Sequence, residues 1–172
     1  MRGLDFYLVQ DFASSIDDFT QSILLDDTFF PAYLMRALVR YKQLEYKKAE
    51  AGMNEGAVSG AQEVKKAEVT AMDYDIVKND LDHVIQLAPD FVYGYYNRGN
   101  VLSLLKDYRA ALADYDKAIG LNPDFAEAYF NRGLTHIFLG NNRQGISDLS
   151  KAGELGIVSA YNIIKRFTNT QQ

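Results

Sequence analysis

The 172-residue sequence contains no cysteine, only two histidines, no apolar run of membrane-spanning length, and 18 basic against 23 acidic residues. Without cysteine there is no disulfide and no thiolate nucleophile or ligand, although this absence does not identify a compartment. His83 and His136 stand in no triad or metal-ligand spacing; His83 reads as a solvated surface residue and His136 as a wall residue between stacked helices. The acidic pairs Asp73/Asp75 and Asp114/Asp116 are two residues apart, so on a helix they point to different faces. There is no P-loop, dinucleotide fingerprint or calcium loop. The expectation is a protein without catalytic activity, cofactor or metal. A formal charge of −5 argues against a nucleic-acid partner, which calls for clustered Lys and Arg to displace counterions. The N-terminus has no signal-peptide pattern, and membrane insertion is not expected.

What the chain does have is self-similarity. Tyr108 to Phe125 (YRAALADYDKAIGLNPDF) is echoed by Phe12 to Phe29 (FASSIDDFTQSILLDDTF) and by Tyr74 to Phe91 (YDIVKNDLDHVIQLAPDF). Tyr95-Tyr96-Asn97-Arg98-Gly99 recurs as Tyr129-Phe130-Asn131-Arg132-Gly133, 34 residues later. A fixed period of this length signals a stacked repeat array. Each period holds two helical patterns, from Tyr95 to about Leu105 and from Tyr108 to Leu121, with a break at Lys106-Asp107 and a stop at Asn122-Pro123. A composition of 48% hydrophobic residues supplies a continuous core, spread along the axis of such an array.

Small residues recur where two helices must approach: Gly99 and Ala111 in one period, Gly133 and Gly145 in the next, flanked by Tyr95 and Tyr115 or Tyr129 and Leu149. With Ala118 and Pro123, and with Ala152 followed by Ile157 where proline is expected, the pattern resembles the tetratricopeptide repeat family. The resemblance implies an all-α fold, a right-handed superhelical solenoid of antiparallel helix pairs. It implies one domain over 1–172: a truncated first repeat at 1–29, a second at 30–91 with an insertion at about 42–72, a third at 92–125, a fourth at 126–159, and a capping helix and tail at 160–172.

The insertion follows from register. Tyr33 matches Tyr95 at a distance of 62 residues, 28 more than one period. Lys42 to Glu50 and Ala61 to Met72 are rich in helix formers, whereas Ala51 to Gly60 carries three glycines. A projecting helical hairpin, each helix lengthened by about four turns, is expected; a polar loop is the alternative, since long insertions cost little closure entropy. Counting back from Phe12 places Arg2-Gly3 partway through a first helix, so a longer parent protein is expected, whereas Val158 to Phe167 reads as a closing helix.

In this family the first helices line a concave face that binds peptides or partner helices. The resemblance assigns to that groove Leu34, Met35, Leu38 and Tyr41 from the second repeat, and Tyr93, Tyr96, Asn97, Asn100 and Ser103 from the third. Glu127, Phe130, Asn131, Leu134 and Phe138 come from the fourth. The surface is aromatic and apolar with amides interspersed, which suits a mixed ligand. Asn97 and Asn131, one period apart, are similar to the asparagine ladder of O-linked N-acetylglucosamine transferases, in which amides pair with an extended peptide backbone. Met1 and Met35 interrupt the ladder, and the plainer alternative is that these amides cap neighbouring carbonyls or face water. Another branch of the family holds chaperone C-terminal carboxylates with Lys, Asn and Arg. Here Leu34, Tyr96 and Phe130 stand where lysine is required and only Asn100 fits, which argues against that activity.

A second column departs from the family. Arg2, Arg36, Arg98 and Arg132 occupy a place where leucine is common, and Asp18, Asp80, Asp114 and Asp148 share one register in the second helices. A repeating Arg–Asp bridge between helices is expected, its net stabilisation limited by desolvation. The alternative is that the arginines face the groove and take an acidic ligand. The function expected is a protein-interaction scaffold, the insertion offering a second contact surface. The alternatives are an accessory region of a longer enzyme or assembly factor, and self-association through exposed solenoid ends.

Overall fold

The computed structural model describes residues 11–54 and 69–169. Eight α-helices and no strand are found among these residues: α1 Phe12–Leu25, α2 Phe30–Asn54, α3 Ala71–Leu87, α4 Val92–Leu104, α5 Tyr108–Leu121, α6 Ala126–Phe138, α7 Asn142–Glu154 and α8 Ser159–Asn169. They fall into two compact units, Met1–Pro89 and Asp90–Gln172. In the first unit α1 packs on α2 and α2 on α3; in the second each helix from α4 to α8 packs on the next.

Local chemistry sets the helix ends. Asp11 accepts a hydrogen bond from the Ser14 N–H at 3.1 Å, and Asp107 accepts one from Ala110 at 3.2 Å, satisfying first-turn donors that no helical carbonyl reaches. Two kinds of C-terminus occur. After α4, α6 and α7 the chain turns through positive φ at Lys106 (64°), Gly140 (80°) and Gly156 (109°). There the Asp107, Asn141 and Ile157 N–H groups reach back to the Leu102, His136 and Ala152 carbonyls at 2.9, 2.8 and 2.9 Å. This is the Schellman arrangement. By contrast α3 and α5 end at Ala88 and Asn122, which leave the helix ahead of Pro89 and Pro123. With Ile157 in place of the third proline, α7 ends on Gly156 instead.

Helix α2 continues to Asn54, well past Tyr41, whereas α3 begins only three residues before Tyr74. The expectation that both helices lengthen equally is therefore corrected. The Asp73 carboxylate accepts from both the Thr70 N–H, at 2.8 Å, and the Thr70 hydroxyl, at 2.9 Å, so the helix starts there. The rest of the expected hairpin, residues 55–68, and the Arg2-Gly3 segment lie outside the described residues.

Close approach in the second unit depends on glycine. A Cβ on Gly99 would lie 2.7 Å from the Tyr115 ring, and one on Gly133 would lie 2.9 Å from the Gly145 carbonyl oxygen. Tyr115, Ala111 and Leu102 form one buried cluster; Leu149, Ala152 and Ala160 form another, on which Ile163 and Ile164 of α8 pack. The first unit is built around Tyr33, Ala37, Val39, Tyr74, Val77, Leu81 and Val84. Each large apolar side chain so buried contributes about 1.5–3 kcal/mol.

Candidate functional site

Two columns of side chains follow from this packing. In the first, the guanidinium of Arg36 donates from Nε and Nη2 to Asp80 at 3.0 and 2.6 Å. Arg98 does the same to Asp114 at 2.8 and 2.7 Å, and Arg132 to Asp148 at 2.8 and 2.6 Å. Each bridge joins a first helix to its own second helix in the parallel two-bond form that suits guanidinium and carboxylate. The aspartates are buried and the arginines cover them, each guanidinium also lying over a tyrosine three residues earlier: Arg36 over Tyr33 at 5.7 Å, Arg98 over Tyr95 at 5.9 Å, Arg132 over Tyr129 at 5.3 Å.

A third contact reaches the preceding helix. Arg36 Nη1 donates to the Thr20 hydroxyl on α1 at 3.1 Å, and Arg132 Nη1 to Asp116 on α5 at 2.7 Å. Thr20 and Asp116 both sit two residues after the aspartate of their own helix, a relation the sequence contains but does not flag. Hydrogen bonds to Asp148 and then Asp116 hold Arg132 above the ordinary guanidinium range, against the opposing effect of burial. Asp80 accepts a further bond from Arg40 Nη1 at 2.7 Å. Asp18 belongs to the same column; its Oδ2 is buried without a hydrogen-bond partner. Arg2, which register places opposite it, lies outside the described residues.

The second column is the candidate groove. In the first unit Leu34, Met35, Leu38 and Tyr41 are all half-buried on α2. In the second unit, polar side chains of α4, α5 and α6 bond to one another. The Asn100 carbonyl oxygen accepts from the Tyr115 hydroxyl at 2.9 Å and from Asn131 Nδ2 at 2.8 Å. Asn131 Nδ2 also reaches the Tyr96 hydroxyl at 3.3 Å, and Ser103 lies 3.3 Å from the Tyr115 hydroxyl. Asn97, one period before Asn131, instead donates back to the Tyr93 carbonyl of its own helix at 2.8 Å. Equivalent positions thus do different things, and Asn97 takes the carbonyl-capping alternative. Tyr93 and Phe138 are the most exposed aromatics here, at 54% and 68%, while Tyr96 and Phe130 pack into the core clusters. Tyr93 sits edge-on to Phe125 at 5.4 Å and Phe138 lies 4.5 Å from the Tyr108 ring. Leu134 is at the margin of exposure and Glu127 is exposed.

The family model for the tetratricopeptide repeat matches residues 92–125, and a second model of the same description matches 126–155. The chain carries tetratricopeptide repeats. Among solved structures, that of MamA aligns with a TM-score of 0.71 at 18% identity, covering 94% of this chain and 79% of that one. The first tetratricopeptide domain of Spaghetti (RPAP3), bound to the HSP90 peptide SRMEEVD, aligns at 0.56 and 18% identity, covering 78% and 92%. YrrB, described as having an unusual peptide-binding site, aligns at 0.50 and 17%, covering 95% and 88%. At these identities the likeness is one of fold. No curated protein sequence matches the chain.

Within the tetratricopeptide framework the remaining candidates are placed as follows. His83 is exposed; its ring also stacks on Tyr33 at 4.9 Å with planes 3° apart, and Nδ1 donates to the Asn79 carbonyl at 2.8 Å. His136 is half-buried, with Nδ1 buried and unpartnered. Among the described residues no group of acidic or histidine side chains is arranged to hold a metal ion, and no helix is long and apolar enough to cross a membrane.

Proposed function

We propose that the chain is a protein-interaction scaffold, and that in each unit the first helices of the tetratricopeptide repeats, α2 in one and α4 and α6 in the other, carry a ligand-facing surface. The observation that supports this best is in the second unit. Exposed Tyr93 and Phe138 flank an amide pair, Asn100 and Asn131, whose orientation is fixed by mutual hydrogen bonds. With the Asn100 oxygen taken by two donors and the Asn131 nitrogen giving to two acceptors, Asn100 keeps N–H groups to offer and Asn131 keeps its oxygen. A peptide group presents the complementary acceptor and donor. RPAP3 and YrrB, which share the fold, are peptide-binding proteins by their own descriptions.

The candidate positions hold no Lys or Arg, and Glu127 is their one charged residue. An acidic peptide of the SRMEEVD kind would leave its carboxylates unpaired on such a surface. The ligand class favoured is therefore a neutral extended segment with an apolar or aromatic side chain to cover Tyr93 or Phe138.

The test is a random peptide library displayed against the full chain, followed by titration of the best binder into Tyr93→Ala and Phe138→Ala. Both residues are exposed enough to be replaced without opening the core. Anchoring aromatics lose on the order of tenfold or more in affinity when truncated. Undiminished binding by both variants contradicts the reading.

A further inference from the structure

We propose that Arg36, Arg40 and Thr20, at the junction of α1, α2 and α3, form a binding site for an oxyanion, a carboxylate or phosphate group supplied from outside the chain. The proposal is independent of the groove on α4 and α6. Its basis is a local balance of charge opposite to that of the Arg132 rung.

In the Arg132 rung one guanidinium meets two carboxylates, Asp148 at 2.6 Å and Asp116 at 2.7 Å. In the Arg36 rung the proportions are reversed. Two guanidiniums, Arg36 at 2.6 Å and Arg40 at 2.7 Å, share the single carboxylate of Asp80. The place that Asp116 fills in the later rung is filled here by Thr20, whose hydroxyl accepts from Arg36 Nη1 but carries no charge. Arg40 also departs from its register, since Leu102 stands at that place one repeat later. An extra positive charge has been added and a negative one removed, both at the same junction.

Asp80 is 4% exposed and its carboxylate is committed to the two guanidiniums, which leaves one positive charge over at the junction. Arg40 keeps 24% of its side chain accessible, and among the described residues it uses one N–H group, on Nη1. Its remaining donors form the open edge of the cluster. Burial lowers the Arg40 pKa, and the neighbouring Arg36 charge adds to that effect despite the attraction of Asp80. An oxyanion placed against the free edge of Arg40 would accept charge-assisted hydrogen bonds in the planar fork that guanidinium presents.

The experiment uses the full chain, with inorganic phosphate and acetate as probes titrated against chloride at constant ionic strength. The Nε–H resonances of Arg36 and Arg40 and the melting temperature are followed together. Two variants are compared, Arg40→Leu, which installs the residue of the later repeat, and Thr20→Asp, which supplies a carboxylate from within as Asp116 does. The expected result is a saturable shift of both arginine resonances and a rise in melting temperature in the parent. Affinity should fall at least tenfold in each variant, with helix content retained. Response to phosphate alone assigns a phosphate ligand; response to acetate, with or without phosphate, assigns a carboxylate. No saturable shift in the parent chain, or a shift of Arg36 that survives unchanged in either variant, overturns the proposal.

Discussion

Arg132 holds Asp148 through two parallel hydrogen bonds, Nε to Oδ2 at 2.8 Å and Nη2 to Oδ1 at 2.6 Å, with Asp148 only 7% exposed. A pair in this setting contributes little over an apolar pair of the same volume, because both ions lose water, but a partner left alone is a buried charge without compensation. Asp148→Ala is expected to destabilise the chain by about 2–4 kcal/mol in urea unfolding. The double replacement Arg132→Leu/Asp148→Leu should recover a substantial part of that loss. Additive losses in the two single variants and the double variant contradict the strut reading.

Two glycines test close packing in opposite directions. A Cβ on Gly145 would lie 2.5 Å from Ile137 Cγ1 and 2.8 Å from the Gly133 carbonyl oxygen, whereas one on Gly120 would meet nothing within 4 Å. Gly145→Ala forces α6 and α7 apart and is expected to cost about 1–3 kcal/mol. Gly120→Ala, in α5, is expected to stabilise by about 0.5–1 kcal/mol through helix propensity alone. Thermal melts of the two variants should move to opposite sides of the parent.

Lys106 turns the chain at φ 64°, where the corresponding residue one period later is Gly140. A side chain in this left-handed region costs about 1 kcal/mol. Lys106→Gly should therefore raise stability by up to about 1 kcal/mol, the added freedom of the unfolded chain taking back part of the gain. Equilibrium unfolding decides between the two terms, and a loss of stability refutes the strain assignment.

Hydrogen bonds from the Thr70 backbone and then its hydroxyl hold the Asp73 carboxyl below its ordinary value of 3.8. A depressed folded-state pKa means the cap stabilises fully above the unfolded-state value and is lost as pH falls through the lower folded-state one. Asp73→Ala is expected to cost about 1 kcal/mol at neutral pH. The gap between variant and parent should close as pH falls below 3.8. A gap that stays constant into acid rules out the cap.

The parts of the molecule legible in the sequence are those that repeat. Gly99 with Tyr115 and Gly133 with Gly145 are visible because each period must bring two backbones together, and only small residues allow it. The arginine and aspartate columns are visible for the same reason. What repeats in sequence without repeating in structure is harder to read. Asn97 and Asn131 match by register, yet Asn97 bonds its own helix while Asn131 bonds Asn100, because α5 supplies Tyr115 to anchor that amide. The contacts of Arg36 with Thr20 and of Arg132 with Asp116 come from the preceding helix, outside the repeat in which the arginine is found. The start of α3 at Ala71 turns on a single cap at Thr70, a local competition that helix propensity summed over a segment does not register.

The most direct test is calorimetric titration of one library-selected peptide into the parent chain, Phe138→Ala and Arg98→Leu. If α4 and α6 carry the ligand surface and the arginines are struts, Phe138→Ala loses about tenfold or more in affinity at unchanged stability. Arg98→Leu then keeps the parent affinity with an altered melting temperature. The opposite pattern, full binding without Phe138 and lost binding without Arg98 at unchanged stability, contradicts both assignments at once.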